Sequence, residues 1–243
     1  MDLPLFTQLS LSLHDRILLI TITHPPCNYL TGNFFMELNQ CRDLILSDAV
    51  HAVVLTGEGK LFSKGFDIHE VLPVSSPFNN EMVLFANDLY SFFADLNKPV
   101  IAAINGSCLG GGLELAMASH IRLCAEKAML GLPEVSGGLV PGLGGVHRLI
   151  RLIGEARAME MLLIGDFISA QRAYELNLVN RVFTKKDFLG QVMAFVKMLL
   201  ATRYEAIQHI LELVRISRPD KEASNIIESA DRFSRLVLEA RNH

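Results

Sequence analysis

In the first half of the chain, apolar residues fall into two rhythms. Ile17 to Thr23 is isoleucine-rich and alternates, as a strand does, and His24-Pro25-Pro26 stops it. From Phe34 to Leu46 the apolar positions take helical spacing. Two short runs follow without alternation: AVVLT (Ala52 to Thr56), bounded by Gly57 and Gly59, and VIAAI (Val100 to Ile104), led by Pro99 and closed by Asn105-Gly106. Unbroken apolar strands of that length, separated by helices, predict a sheet covered on both faces and hence an α/β class.

Past Gly154 the pattern becomes helical over Glu155 to Ile164, Ser169 to Leu176, Lys186 to Ala201, Tyr204 to Ile216 and Lys221 to Ala240. Ser169 and Thr184 suit N-caps, and Gly165 and Asn177 suit helix stops. The Met and Leu stripe from Val192 to Leu200 reads as packing surface against another helix or subunit.

Composition narrows the class. With 243 residues the chain suits one domain or a domain with a small appendage. Charged residues interrupt every apolar stretch well short of the ~18 residues that span a bilayer, so no membrane association is expected. Net charge is −4 and the basic residues are scattered, which argues against a nucleic-acid partner. The start, MDLPLFTQLSLSLHDR, has neither a basic leader nor an apolar core, and a cytoplasmic protein is expected. Cys27, Cys41, Cys108 and Cys124 lack CxxC or CxxH spacing, so free thiols are expected and no metal site.

The candidate chemistry begins where VIAAI runs into NGSCLGGGLELA, three glycines at a strand-to-helix junction. N–H groups opening a helix have no intrahelical partner and carry partial positive charge, which suits an anion or a developing oxyanion. The same glycines could serve close helix-to-strand packing alone. Neither a Walker lysine nor a GxGxxG follows, so phosphate-loop and dinucleotide readings are unsupported. Glu114, in the first turn, is either a dipole-compensating residue or a base beside that anion hole. A second carboxylate, Glu134, stands in LPEVSGGLVPGLGG among few polar side chains, and an acid so embedded has its pKa raised. Two carboxylates in unlike surroundings can divide the roles of acid and base.

Four ordered segments resemble the crotonase (enoyl-CoA hydratase/isomerase) superfamily: PPCNYLT from Pro25, FSKGFDIHE from Phe62, NKPVIAAINGSCLGGGLELA from Asn97 and GLPEVSGGLVPGLGGVHRL from Gly131. A weaker match begins at Ala156, and the resemblance spans roughly residues 5 to 215. It implies a crotonase-like spiral of ββα units, assigned to residues 1–190, then a helical C-terminal trimerisation region, 191–243. It further implies an oxyanion hole from the backbone N–H groups of Phe66 and Gly111, catalytic glutamates at Glu114 and Glu134, and a catalytic-water position at Gly142. Phe66, Asp67, Ile68 and Gly111 would contact the substrate, an acyl-CoA or acyl-carrier thioester. CoA then belongs to the substrate and no separate cofactor is called for.

Keeping both glutamates favours an enoyl-CoA hydratase, a homotrimer or a dimer of trimers. The alternatives are a double-bond isomerase using Glu134 alone and a non-catalytic RNA-binding relative. Some positions depart from the family pattern. Phe66 replaces a small residue and would narrow or redirect the acyl pocket. Lys64 can reach a CoA phosphate or stay solvated, His69 lies where basic residues often help hold the nucleotide part or is a surface histidine, and Asp67 suits a turn cap. After Arg235-Leu-Val-Leu-Glu-Ala-Arg-Asn-His the family's usual covering segment is missing, which leaves substrate length open.

Overall fold

A computed structural model describes residues 3–67, 71, 80–218 and 222–241. Ile68 and His69 therefore lie outside the described residues. The chain opens with a hairpin, β1 (Leu9–His14) antiparallel to β2 (Ile17–Ile22), joined by Asp15 and Arg16, both at positive φ. Two left-handed residues in a two-residue connection match the right-handed twist of the flanking strands. The alternation LSLSLH in β1 is a strand signal that the sequence reading passed over.

Three strands then add in parallel to β2: β3 (Ala52–Gly57), β5 (Val100–Ile104) and β7 (Ile121–Ala125), with β10 (Arg181–Phe183) last, in the order β1-β2-β3-β5-β7-β10. Each is followed by a short strand of a second sheet: β4 (Leu61–Ser63), β6 (Ser107–Leu109) and β8 (Met129–Gly131), edged by antiparallel β9 (Ile168–Ser169). A helix closes each turn: α3 (Asn80–Asp95) after β4, α4 (Gly111–Met117) after β6, and α5 (Gly145–Ile153) after β8. This is the expected spiral of ββα turns.

β3 and β5 are buried on both faces, which is why they are apolar without alternation. Val53, Leu55, Val100, Ala102 and Ile104 face the main core, whereas Ala52, Val54, Ile101 and Ala103 face a second cluster. That second face is covered by α8 (Phe188–Leu200) through Phe188, Val192 and Val196. Part of the stripe assigned to helix or subunit packing is thus spent on the chain's own sheet. The expected division between residues 190 and 191 falls inside α8.

The remaining helices are α1 (Gly32–Gln40), α2 (Arg42–Leu46), α6 (Glu155–Ile164), α7 (Ala170–Glu175), α9 (Tyr204–Ile216) and α10 (Glu222–Arg241). The helical pattern of Phe34 to Leu46 breaks at Cys41 into α1 and α2. Ser169 caps α7 by accepting the Arg172 N–H at 3.2 Å. Gly165 and Asn177 end helices at φ 72° and 63°. Thr184 is not a cap: α8 begins at Phe188 after Asp187, and Thr184 instead receives the Gln191 side chain.

All four cysteines are free, and Cys41, Cys108 and Cys124 are buried, with thiol pKa values pushed up by that burial. Among the described residues no helix is long and apolar enough to cross a membrane, and no three His, Cys, Asp or Glu side chains gather as a metal site. α10 folds back on its own chain, burying Ile226, Ala230, Phe233 and Val237 at helical spacing.

Candidate active site

The site is built on the turn from β6 into α4, where each glycine of the triple has a separate job. Gly110 is the N-cap at φ 52° and ψ −131°, a conformation closed to most side chains, and its N–H donates to the Gly131 carbonyl at 2.9 Å. Gly111 is the first residue of α4, so its N–H has no partner within the helix. Its carbonyl accepts the buried Tyr90 hydroxyl at 2.9 Å, which fixes the peptide. A Cβ on Gly112 would lie 2.8 Å from the Ser63 Cβ. Close packing and an anion-facing N–H therefore coexist in one triplet.

Against this turn lies the loop after β4. Gly65, at φ 84°, could not carry a Cβ, which would sit 2.8 Å from the Gly111 nitrogen. That approach sets Phe66 beside Gly111, and the two positions assigned to the oxyanion hole come together. Ser63 pins the loop, its hydroxyl accepting the Gly65 N–H at 3.0 Å and donating to the Asn28 carbonyl at 2.7 Å. Asn28 in turn donates to the carbonyls of Glu58 and Leu61, each at 3.0 Å. The PPCNYLT segment thus serves as a brace for the loop. The sequence reading missed this role of Asn28, Ser63 and Tyr90, since lone polar residues near an apolar run carry no distinguishing signal.

Glu114 lies within α4 and is 1% exposed. Its Oε1 accepts the N–H groups of Leu143 at 2.8 Å and Gly145 at 2.7 Å. Arg148, 0% exposed, lies near enough to favour the charged carboxylate and donates through Nη1 to the Leu143 carbonyl at 2.6 Å. Burial outweighs these contacts and raises the Glu114 pKa to about 7.

Glu134 opens the 3-10 turn Glu134–Gly137. The residue as a whole is half-buried, yet its carboxylate is enclosed: Oε2 is out of solvent and has no hydrogen-bond partner among the described residues. Its Oε1 stands 3.1 Å from the place a Cβ on Gly110 would occupy, at the turn into α4. Burial first, and then the Glu114 charge, raise its pKa to about 8. The two acids sense each other, and their surroundings differ: Glu114 receives N–H groups from two other residues, Glu134 only its own backbone N–H.

Gly142 lies next to Leu143, and its carbonyl is held by Asn87 Nδ2 at 2.8 Å. A Cβ there would lie 2.6 Å from Phe233 Cγ, so Phe233 of α10 rests on the glycine. The Phe66 ring is partly buried, 5.8 Å from Phe35 and 5.9 Å from Phe233 between centroids. Asp67 accepts the Val71 N–H on its carbonyl at 3.0 Å, and Lys64 is exposed. Of the nominated residues, Phe66, Gly111, Glu114, Glu134 and Gly142 gather around one turn, with Asp67 adjoining. The substrate contact assigned to Ile68 falls on an undescribed residue.

Such an arrangement can hold a carbonyl oxygen on two N–H groups while one carboxylate takes a proton and the other gives one. The profile of the enoyl-CoA hydratase/isomerase family matches residues 13–239. A probable enoyl-CoA hydratase of Bacillus subtilis is 42% identical over 176 residues, 71% of this chain and 67% of that protein. A 2,3-dehydroadipyl-CoA hydratase of Escherichia coli is 30% identical over 243 residues, 98% of this chain and 93% of that protein. Among solved structures, Pseudomonas aeruginosa DspI superposes with a TM-score of 0.83 at 31% identity, covering 94% of this chain and 95% of its own.

Proposed function

The chain belongs to the enoyl-CoA hydratase/isomerase family, and from that premise we propose that it adds water across the double bond of a 2-enoyl-CoA, using Glu114 as base and Glu134 as acid. The observation that carries the assignment is the contrast between the two enclosed carboxylates. Glu114 receives two backbone N–H groups and ionises first; Glu134 has a partnerless Oε2 and keeps its proton longer.

In this mechanism the thioester oxygen sits on the N–H groups of Phe66 and Gly111. Glu114 removes a proton from water as the hydroxyl adds to the β-carbon, and the charge collects on the thioester oxygen as an enolate. Donors preorganised toward such a charge are typically worth ~3–4 kcal/mol each. Glu134 then protonates the α-carbon. The addition is redox-neutral, CoA enters with the substrate, and no separate cofactor is called for. An isomerase reading would need Glu134 alone to shuttle a proton, leaving the two N–H groups on Glu114 without a catalytic purpose.

We further place the enzyme in the cytoplasm as a homotrimer or dimer of trimers. α9 has no buried residue, and Ile210, Leu213 and Val214 stand exposed along it. The deciding experiment is hydration of a panel of 2-enoyl thioesters, on CoA and on a carrier protein, followed by loss of the enoyl absorbance. If no 2-enoyl thioester is consumed while a 3-enoyl thioester is converted to the 2-enoyl form, the isomerase reading replaces this one.

A further inference from the structure

α10 packs against the site through Phe233. Water adds at the β-carbon, which must lie beside the Glu114 carboxylate, and that carboxylate is held by Leu143 and Gly145. Gly142 adjoins Leu143, and Phe233 occupies the space above it. A Cβ on Gly142 would lie 2.6 Å from Phe233 Cγ and 2.8 Å from its Cβ, so only glycine lets the ring settle there. Phe233 is 2% exposed, and its ring also faces Phe66, whose own ring lies 3.8 Å from the place of a Cβ on Gly111. The two phenyl groups form one wall beside the oxyanion hole.

Phe233 has a second neighbour. It lines a cavity of about 270 Å³ between α3 and α10, whose other walls are Asn80, Val83, Ser234, Val237, Leu238 and Arg241. An apolar chain leaving the site would find it suitable, but Phe233 stands at the boundary.

Resting on the hydratase reading above, we propose that Phe233 is the specificity-determining residue for acyl length: together with Phe66 it restricts the enzyme to short 2-enoyl chains and keeps the cavity between α3 and α10 out of reach. Removing the ring joins the cavity to the site and admits medium-length chains.

The test uses full-length protein and two readouts. Calorimetric binding of butyryl-CoA and decanoyl-CoA, which carry no double bond to hydrate, reports the acyl pocket without turnover. Hydration of the matching four- and ten-carbon 2-enoyl-CoA substrates reports catalysis. Phe233→Ala should raise the decanoyl-to-butyryl affinity ratio by at least ~10-fold, in keeping with what a few methylenes are worth in an apolar pocket. Phe233→Leu, the milder change should the alanine variant fold poorly, should move the ratio in the same direction by less. Adding Val237→Phe to Phe233→Ala should refill the cavity and cancel the gain. An unchanged ratio in folded Phe233→Leu and Phe233→Ala overturns the proposal, as does a wild type that already prefers decanoyl-CoA. A shifted ratio in a protein that hydrates neither substrate upholds the gate and sinks the hydratase reading alone.

Discussion

Gly145 donates its N–H to Oε1 of Glu114 from 2.7 Å, and a Cβ on Gly145 would lie 2.7 Å from the same oxygen. The glycine both charges and fits the pocket around the carboxylate. A methyl group there would push Glu114 away from Leu143 and Gly145, and Pro141, 2.9 Å from the same point, blocks the other direction. We expect Gly145→Ala to lower kcat by roughly 100-fold, in line with misplacement of a proton-transfer group, while the chain remains folded. Steady-state hydration kinetics with circular dichroism as the folding control will decide; near-normal kcat would detach this carboxylate from the chemistry.

The two acids make a paired prediction. Glu114→Gln and Glu134→Gln should each cut hydration by ~10²–10⁴-fold, the range for a positioned general acid or base, with saturated acyl-CoA still bound. Since both act on one addition, the double variant should be scarcely slower than the worse single variant. Retained hydration in folded Glu114→Gln would contradict the two-acid mechanism, and multiplicative losses would argue that the acids work independently.

Why was so much of this site legible beforehand? Glycines and carboxylates in apolar sequence are conspicuous, because each violates what burial alone would choose. Gly110 to Gly112 and Glu114 announced themselves in that way, and AVVLT and VIAAI did so as doubly buried strands. The bracing residues did not. Asn28, Ser63, Asn87 and Tyr90 act by hydrogen bonds to carbonyls distant in sequence, and Arg148 is an ordinary cation on a helix until the fold buries it beside Glu114. The three-residue strands of the second sheet were equally silent, since a run that short has no periodicity to read. Phe233 gave no warning either, because its partner Gly142 lies 91 positions away and the contact exists only once α10 folds back.

The oligomeric proposal rests on surface that the folded chain leaves uncovered. On α8, Val192 and Val196 are already buried, so the surplus lies on α9, where Ile210 and Leu213 are 60% and 59% exposed, and on α6 at Leu163. We expect light scattering to give a trimer or hexamer at micromolar concentration. Ile210→Glu with Leu213→Glu should shift the mass toward the monomer, because charges buried in an apolar interface cost far more than they gain. A monomeric wild type would remove the proposal.

The acids also fix the pH dependence, in activity and in stability, with signs that can be worked out separately. For activity, Glu114 must be ionised and Glu134 protonated, so kcat/KM should rise as pH climbs through about 7 and fall as it passes about 8. The narrow bell belongs to the pair, since each charge raises the cost of the other. For stability, both folded values stand above the 4.5 of an ordinary glutamate. Between that value and about 8 the folded chain binds more protons than the unfolded one, so the contribution of these groups is full at the acidic end and is lost as pH rises through the folded values. Urea midpoints measured across this window should therefore drift downward with pH, and Glu134→Gln, which keeps the shape and removes the charge, should flatten the drift. A midpoint from these two groups that instead climbs with pH, isolated as the difference between wild type and the double glutamine variant, would show that they are held ionised in the folded state, and Glu134 could not then serve as the acid.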